Sequence, residues 1–297
     1  MHLIDTHHDA HLVLRRSLPP ASLATHVDNF QYLHIPHAGL LPRILPGNGA
    51  LALIPCGGTL QLTEIHSGQQ HLLDEPAILC NRHQVLDLSA SEPSRLFVVS
   101  FRPGRLRHFG DTCFADLQDR ITPSRALWGS CSASLGERLA EASDPGSAIV
   151  ALAGFLERRL QKTRSADFDL LMDLLYLGPE RRISDLAQDA GLSLRQFERR
   201  FTGTYGVAPK YFARVARLQR VARKLALDPA SSTALSALDA GFFDHSHFVH
   251  ELRRLADLSP TELASGMRER PHFYNPVSLQ RYTALINQAL GTQSRPV

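Results

Sequence analysis

The sequence predicts an α+β multidomain chain: a small N-terminal β-sandwich or barrel-like domain, a helical connector, and a C-terminal all-α domain with two helix-turn-helix units joined by a long helix. Three observations point there. Short apolar runs bounded by Gly and Pro turns occupy residues 18–102. Apolar spacing becomes helical after Phe101. Two stretches within residues 181–266 repeat one another.

At 297 residues the chain has room for two ordinary domains. A composition 43% hydrophobic and 21% charged is that of a soluble globular protein. No apolar run approaches the ~18 residues of a membrane span. The start, "MHLIDTHHDAHLVLRR", lacks a basic segment followed by a long apolar core. The expectation is a cytoplasmic protein that does not enter a membrane. Cys56, Cys80, Cys113 and Cys131 form no C-x-x-C pair, so neither zinc nor a redox dithiol is indicated and four free thiols are expected.

In the first expected domain, residues 1–102, "LPRILPGNGALALIP" sets a Pro-Gly-Asn-Gly turn before a strand at Ala50–Ile54. "TLQLTEIHSGQQHLL" predicts a hairpin around Ser67-Gly68, "PAILCN" a short strand, and "SRLFVVSFRPG" a strand ending in a turn. Residues 103–177 are expected to be a helical connector. "GSAIVALAGFLERRLQK" places Ile149, Leu152, Phe155, Leu156 and Leu160 at helical spacing, and "SADFDLLMDLLYLG" is a further helix ended by Gly178-Pro179. Trp128, the single tryptophan, is assigned to core packing near the junction.

Net charge divides the chain. Residues 1–180 carry 15 Lys/Arg against 19 Asp/Glu, whereas residues 181–270 carry 15 against 10. A basic, arginine-rich region beside an acidic one is the electrostatic footprint of a phosphate-binding module.

That basic region holds the repeat. Ala187, Ala190 and Gly191 precede Phe197, Phe201 and Pro209; Ala237, Ala240 and Gly241 precede Phe248, Leu252 and Pro260. Small alanines let two helices approach, and a glycine takes the backbone conformation the corner requires. Ser193 and Asp244 fall at the start of the second helix of each unit, as N-caps. The units are joined by "PKYFARVARLQRVARKLAL", whose Phe212, Val215, Leu218, Val221 and Leu225 make one apolar stripe. Nineteen residues rising ~1.5 Å each span about 28 Å, close to the ~34 Å of one duplex turn.

In "AGFFDHSHFVHELRRLADLSP" three histidines, His245, His247 and His250, lie beside Asp244. A metal site would need three or four ligands converging on one point, and no H-E-x-x-H spacing or cysteine partner supplies them. Phe248, Leu252 and Leu255 form the inward stripe, which leaves His245, Ser246, Val249 and His250 toward a DNA major groove. In the first unit the outward face offers Arg195, Glu198 and Arg199: arginine pairs with guanine in two bonds, and Glu accepts from cytosine. Arg200, Lys210, Arg214, Arg217, Arg253 and Arg254 are placed as phosphate contacts or surface charges, with Arg214 and Arg217 open to an intramolecular ion pair instead. Solvated polar residues on an ordinary helix are the simpler alternative for the histidines.

These motifs carry a resemblance. "LAQDAGLSLRQFERRFTGTYGVAPKYF", "RLQRVARKL" and "ALDAGFFDHSHFVHELRRLADLSP" resemble the DNA-binding domain of the AraC/XylS transcriptional regulators over residues 178–266. Ala237, Gly241, Phe242, Asp244, Ser246, His247 and Phe248 fit the family's A-x-x-x-G-[FY]-x-[DS]-x-S-[HYQ]-F element. Leu252, Asp257 and Leu263 depart from it, where Phe, Gly and an aromatic are usual. The resemblance implies seven helices and base-reading positions at Arg195, Glu198 and Arg199, then at His245, Ser246, Val249 and His250. It also implies activation rather than repression, with RNA polymerase as a partner and double-stranded DNA as the ligand. The N-terminal half resembles a subgroup marked by Leu45-Pro46-Gly47-Asn48-Gly49 and Phe101-Arg102-Pro103-Gly104. In that subgroup the β domain is taken to bind a small-molecule effector or to form a homodimer; no effector residue is assigned. Residues 267–297 are expected to be a tail.

Two other readings stand beside DNA binding. "DTHHDAH", with His7, His8 and His11 beside Asp5 and Asp9, suggests a metal-dependent enzyme in the N-terminal half, against which stands a mobile polar terminus. A repeat-bearing adaptor that binds protein is the other. Neither displaces the expectation of a non-enzymatic regulator with no cofactor and no metal.

Overall fold

The computed structural model describes residues 3–8, 12–41, 43–111, 114–161, 167–228, 231–269 and 284. The strands are β1 (Leu3–His8), β2 (Val13–Ser17), β3 (Val27–Ile35), β4 (Gly39–Leu40), β5 (Leu51–Pro55), β6 (Leu60–Glu64), β7 (Gln70–Leu73), β8 (Ala77–Leu79), β9 (Leu86–Ala90), β10 (Ser94–Phe101) and β11 (Ile121–Pro123). The α-helices are α1 (Phe114–Leu117), α2 (Arg125–Trp128), α3 (Leu135–Ala140), α4 (Pro145–Glu157), α5 (Asp167–Leu177), α6 (Ile183–Asp189), α7 (Leu194–Tyr205), α8 (Pro209–Leu227), α9 (Thr233–Asp239), α10 (His245–Ala256) and α11 (Pro260–Glu269).

The strands form a two-sheet sandwich. Seven lie in the order β1-β2-β3-β10-β5-β8-β11 and four in the order β4-β9-β6-β7. Period-two alternation sorts β10 between two cores. Leu96 and Val98 meet Leu60, Leu62 and Leu88 of the second sheet in an aliphatic interior. Phe97, Val99 and Phe101 point to the opposite face, where α3 and α4 cover the sheet. Trp128 fills that outer core, with its ring 5.5 Å from Phe155 and 6.4 Å from Phe101.

Two expectations change here. Residues 3–8 are a strand paired with β2 in place of a mobile terminus, and Asp9 and His11 lie outside the described residues. The stretch 103–177, expected to be a helical connector, divides between two cores. Its first part, with β11, α3 and α4, packs into the β domain, whereas Phe168, Met172 and Leu175 of α5 enter the core of the first helical unit. The apolar periodicity was legible, but which core each stripe joins depends on tertiary packing. The part of the expected tail beyond residue 269 lies outside the described residues, residue 284 excepted, as does Cys113. Cys56, Cys80 and Cys131 are free thiols, with burial pushing Cys56 and Cys80 up to about 12.

From α5 onward there are seven helices among the described residues. Phe197, Phe201 and Tyr205 of α7 form the first core with Phe212 of α8. Val215, Leu218, Val221 and Leu225 of α8 form the second with Phe248, Leu252 and Leu263. The single stripe on α8 therefore serves two cores in succession, which makes it a strut. Leu252 and Leu263, smaller than the residues usual at their positions, are each 1% exposed.

Candidate nucleic-acid interface

In the first unit the corner closes as the repeat implies. Gly191 has φ +64°, a conformation costly for side chains with a Cβ, and Leu192 N donates to the Ala187 carbonyl at 2.9 Å. The Ser193 hydroxyl accepts from Gln196 N at 3.3 Å while Gln196 Oε1 accepts from Ser193 N at 3.0 Å, a reciprocal cap on α7. With Phe197, Phe201 and Tyr205 turned inward, Arg195, Glu198 and Arg199 are exposed on the N-terminal half of the helix. Among the described residues none of the three has an ion pair or side-chain hydrogen bond.

The second unit repeats this. Gly241 has φ +87°, Phe242 N donates to Ala237 at 3.1 Å, and Asp244 Oδ1 accepts from His247 N at 2.7 Å. Phe248, Leu252 and Leu255 face inward; His245, Ser246 and His250 are exposed and Val249 is half-buried. The three histidines separate. His247 belongs to the corner, its ring edge-on to Phe242 at 5.5 Å and its Nδ1 accepting from Phe243 N at 3.3 Å. Among the described residues no three His, Cys, Asp or Glu side chains are grouped to hold a metal ion. Phe243, 87% exposed beside this helix start, is a feature the sequence reading passes over.

The expected phosphate contacts divide. Lys210 and Arg254 are exposed with no ion pair among the described residues. Arg253 is exposed and leans on the end of its own helix, 3.2 Å from the Asp257 carbonyl. Arg200 lies 4.7 Å over the Phe168 ring. Arg214 grips Glu251 with two nitrogens, one at 3.2 Å, and Arg217 donates to the Pro179 carbonyl at 3.0 and 3.3 Å. Arg214 thus makes the intramolecular ion pair left open for it in sequence, whereas Arg217 ties α8 to the turn between α5 and α6 through a backbone carbonyl.

A second polar constellation lies where the β domain meets the helices. Asp169 and Asp173 of α5 are 3% and 1% exposed. Arg105 Nη1 reaches Asp169 Oδ2 at 2.8 Å and its Nη2 reaches Asp173; Arg107 Nη2 and His108 Nε2 reach Asp169 at 2.8 and 2.7 Å. Nearby His26 is driven down to about 4 by its burial, then by His108 and Arg105, so it is neutral. The two motifs that marked the subgroup are at this junction. The constellation's only signal in sequence is a basic run after Phe101 and an acid pair on α5, more than 60 residues away, with nothing to join them.

A family model described as a helix-turn-helix domain matches residues 186–266. The chain is 30% identical over 112 residues to the HTH-type transcriptional regulator ExsA of Pseudomonas aeruginosa, a match covering 38% of this chain and 40% of that protein's length. Among solved structures it is similar to ToxT of Vibrio cholerae, with TM-score 0.46, 14% identity, and coverage of 86% of this chain and 97% of that one. Wild-type ToxT of the same organism with an unsaturated fatty acid bound gives TM-score 0.45, 12% identity and coverage of 90% and 99%. The paired corners, their capped outward helices and the family match together make residues 186–266 of this chain a helix-turn-helix domain.

Proposed function

We propose that this chain is a sequence-specific transcriptional regulator that binds double-stranded DNA by placing α7 and α10 in successive major-groove segments. Arg195, Glu198 and Arg199 read one segment; His245, Ser246, Val249 and His250 read the other. Lys210, Arg253 and Arg254, with Arg200, anchor the backbone. One observation carries the reading. Two copies of the same glycine corner each present a capped helix whose N-terminal half is polar and exposed, and a 19-residue strut separates them. Activation, contact with RNA polymerase, and control by a small molecule or by dimerisation through the β domain belong to this proposal, as does a cytoplasmic location. No helix among the described residues is long and apolar enough to cross a membrane.

The test is selection of duplexes from a randomised library, then titration of the selected duplex at several salt concentrations. A preferred sequence and a linear log–log salt dependence support the reading. Arg195→Glu with Arg199→Glu should abolish binding with the fold unchanged by circular dichroism. Retained binding in that variant contradicts the assignment of α7.

A further inference from the structure

The β domain touches both reading units, not one. At the first, Asn81 Nδ2 donates to the Tyr205 carbonyl at the end of α7. The turn that follows is pressed against the β domain: a Cβ on Gly206 would lie 2.9 Å from the Phe114 backbone. Arg105 and its neighbours hold the acids of α5 behind the same helix. On the strut, Asn48 Nδ2 donates to the Phe212 carbonyl at 2.9 Å, and the His83 ring sits edge-on to Tyr211 at 4.3 Å. At the second unit, Leu45 and Val85 enter the core built by Leu218, Val221 and Phe248, and His66 lies 3.9 Å from Asp257 at the end of α10.

These contacts span the place where α8 passes from one core to the other. They also leave the N-terminal, outward halves of α7 and α10 exposed. Two reading heads joined by a helix alone bind a bipartite site at the cost of ordering one against the other; a brace across the joint removes that cost beforehand.

We propose that the β domain is a brace holding the two reading helices at a fixed mutual orientation, with Asn48, Asn81 and Arg105 as positioning residues for DNA recognition. The Leu45–Gly49 and Phe101–Gly104 turns are its docking elements on the helical domain. The inference rests on the DNA reading proposed above and goes beyond it, because it assigns a role in recognition to residues that touch no DNA.

The experiment titrates the full chain with its selected duplex and with two duplexes in which one half or the other is scrambled. Wild type should bind the intact duplex about 100-fold more tightly than either half. Asn48→Ala combined with Asn81→Ala should cut that ratio about tenfold while each half-duplex affinity stays within about twofold. Arg105→Lys, which keeps the charge and loses the planar fork, should move the ratio the same way, and it is read in place of the double variant should that fail to fold. An unchanged ratio, or parallel loss on intact and half duplexes in a folded variant, overturns the brace. A wild-type chain indifferent to every duplex overturns instead the DNA reading beneath it, and the brace with it.

Discussion

The Tyr205 hydroxyl, at the end of α7, donates a 2.9 Å hydrogen bond to Asp169 Oδ1 on α5. The other oxygen of that carboxylate holds Arg105 and His108 of the β domain at 2.8 and 2.7 Å. One buried acid therefore connects the first reading helix, the helix behind it and the β domain. Burial opposes its ionisation, but the His108 hydrogen bond and the Arg105 and Arg107 guanidiniums outweigh that and bring the carboxyl down to about 2.

A folded-state value below the ~3.9 of an unfolded chain gives stability that is complete above about pH 5 and is lost as pH falls toward 2. Asp169→Asn should lower stability at pH 7 by about 3 kcal/mol, since it leaves buried cations without their partner. The loss should shrink at pH 3, where the wild type has itself forfeited part of the contribution. Urea unfolding at both pH values measures this, and equal losses would mean that the charge is not what matters.

Gly104 turns the chain at φ +68°, and a Cβ there would stand 2.7 Å from the Tyr205 ring and 2.8 Å from Met172 Sδ. Gly104→Ala should destabilise by at least about 2 kcal/mol, combining left-handed strain with overpacking. Thermal melts check the size of the effect. A change under half that figure would show that the junction yields easily.

Lys210 and Arg214 are one turn apart on α8 and should behave differently. Lys210→Ala should reduce the log–log salt slope of DNA binding by about 0.9 and leave stability alone. Arg214→Ala should leave the slope unchanged and cost about 1–3 kcal/mol of stability, because Glu251 loses its partner. Salt titrations paired with urea melts separate the two; equal slope changes would return Arg214 to the phosphate set.

Asp257 occupies the left-handed position that ends α10, at φ +52°. Glycine is favoured there, and the side chain's contacts with Arg253 at 3.7 Å and His66 at 3.9 Å are exposed, so Asp257→Gly should raise stability by about 0.5–1 kcal/mol. Denaturant midpoints measure this, and a lowered midpoint would show that those contacts outweigh the backbone gain.

The helical domain was largely legible in sequence because its signals are local. The corner glycines, the Ser193 and Asp244 caps and the α8 stripe are each set within a few residues, and the repetition showed them to be one device used twice. His247 was legible only in part: helical spacing kept it out of the groove-facing set, but its contact with the Phe242 ring and the Phe243 N–H is set by the fold of the corner. The β domain was legible as strands but not as an assembly. Nothing local says that β11 joins the sheet beside β8, or that Asn81 reaches Tyr205 more than 120 positions away. The fate of Arg214 was undecidable for a related reason, because an outward arginine and one paired to Glu251 have the same helical position.

The central claim is that α7 and α10 read one face of a single duplex through their exposed N-terminal halves. A hydroxyl-radical footprint of the full chain on its selected duplex tests it most directly, repeated with Arg195→Ala/Arg199→Ala and with His245→Ala/His250→Ala. Two protected segments about one helical turn apart are expected, the first pair erasing one and the second pair the other. A single protected segment, or one left intact by both pairs of substitutions, would contradict the account.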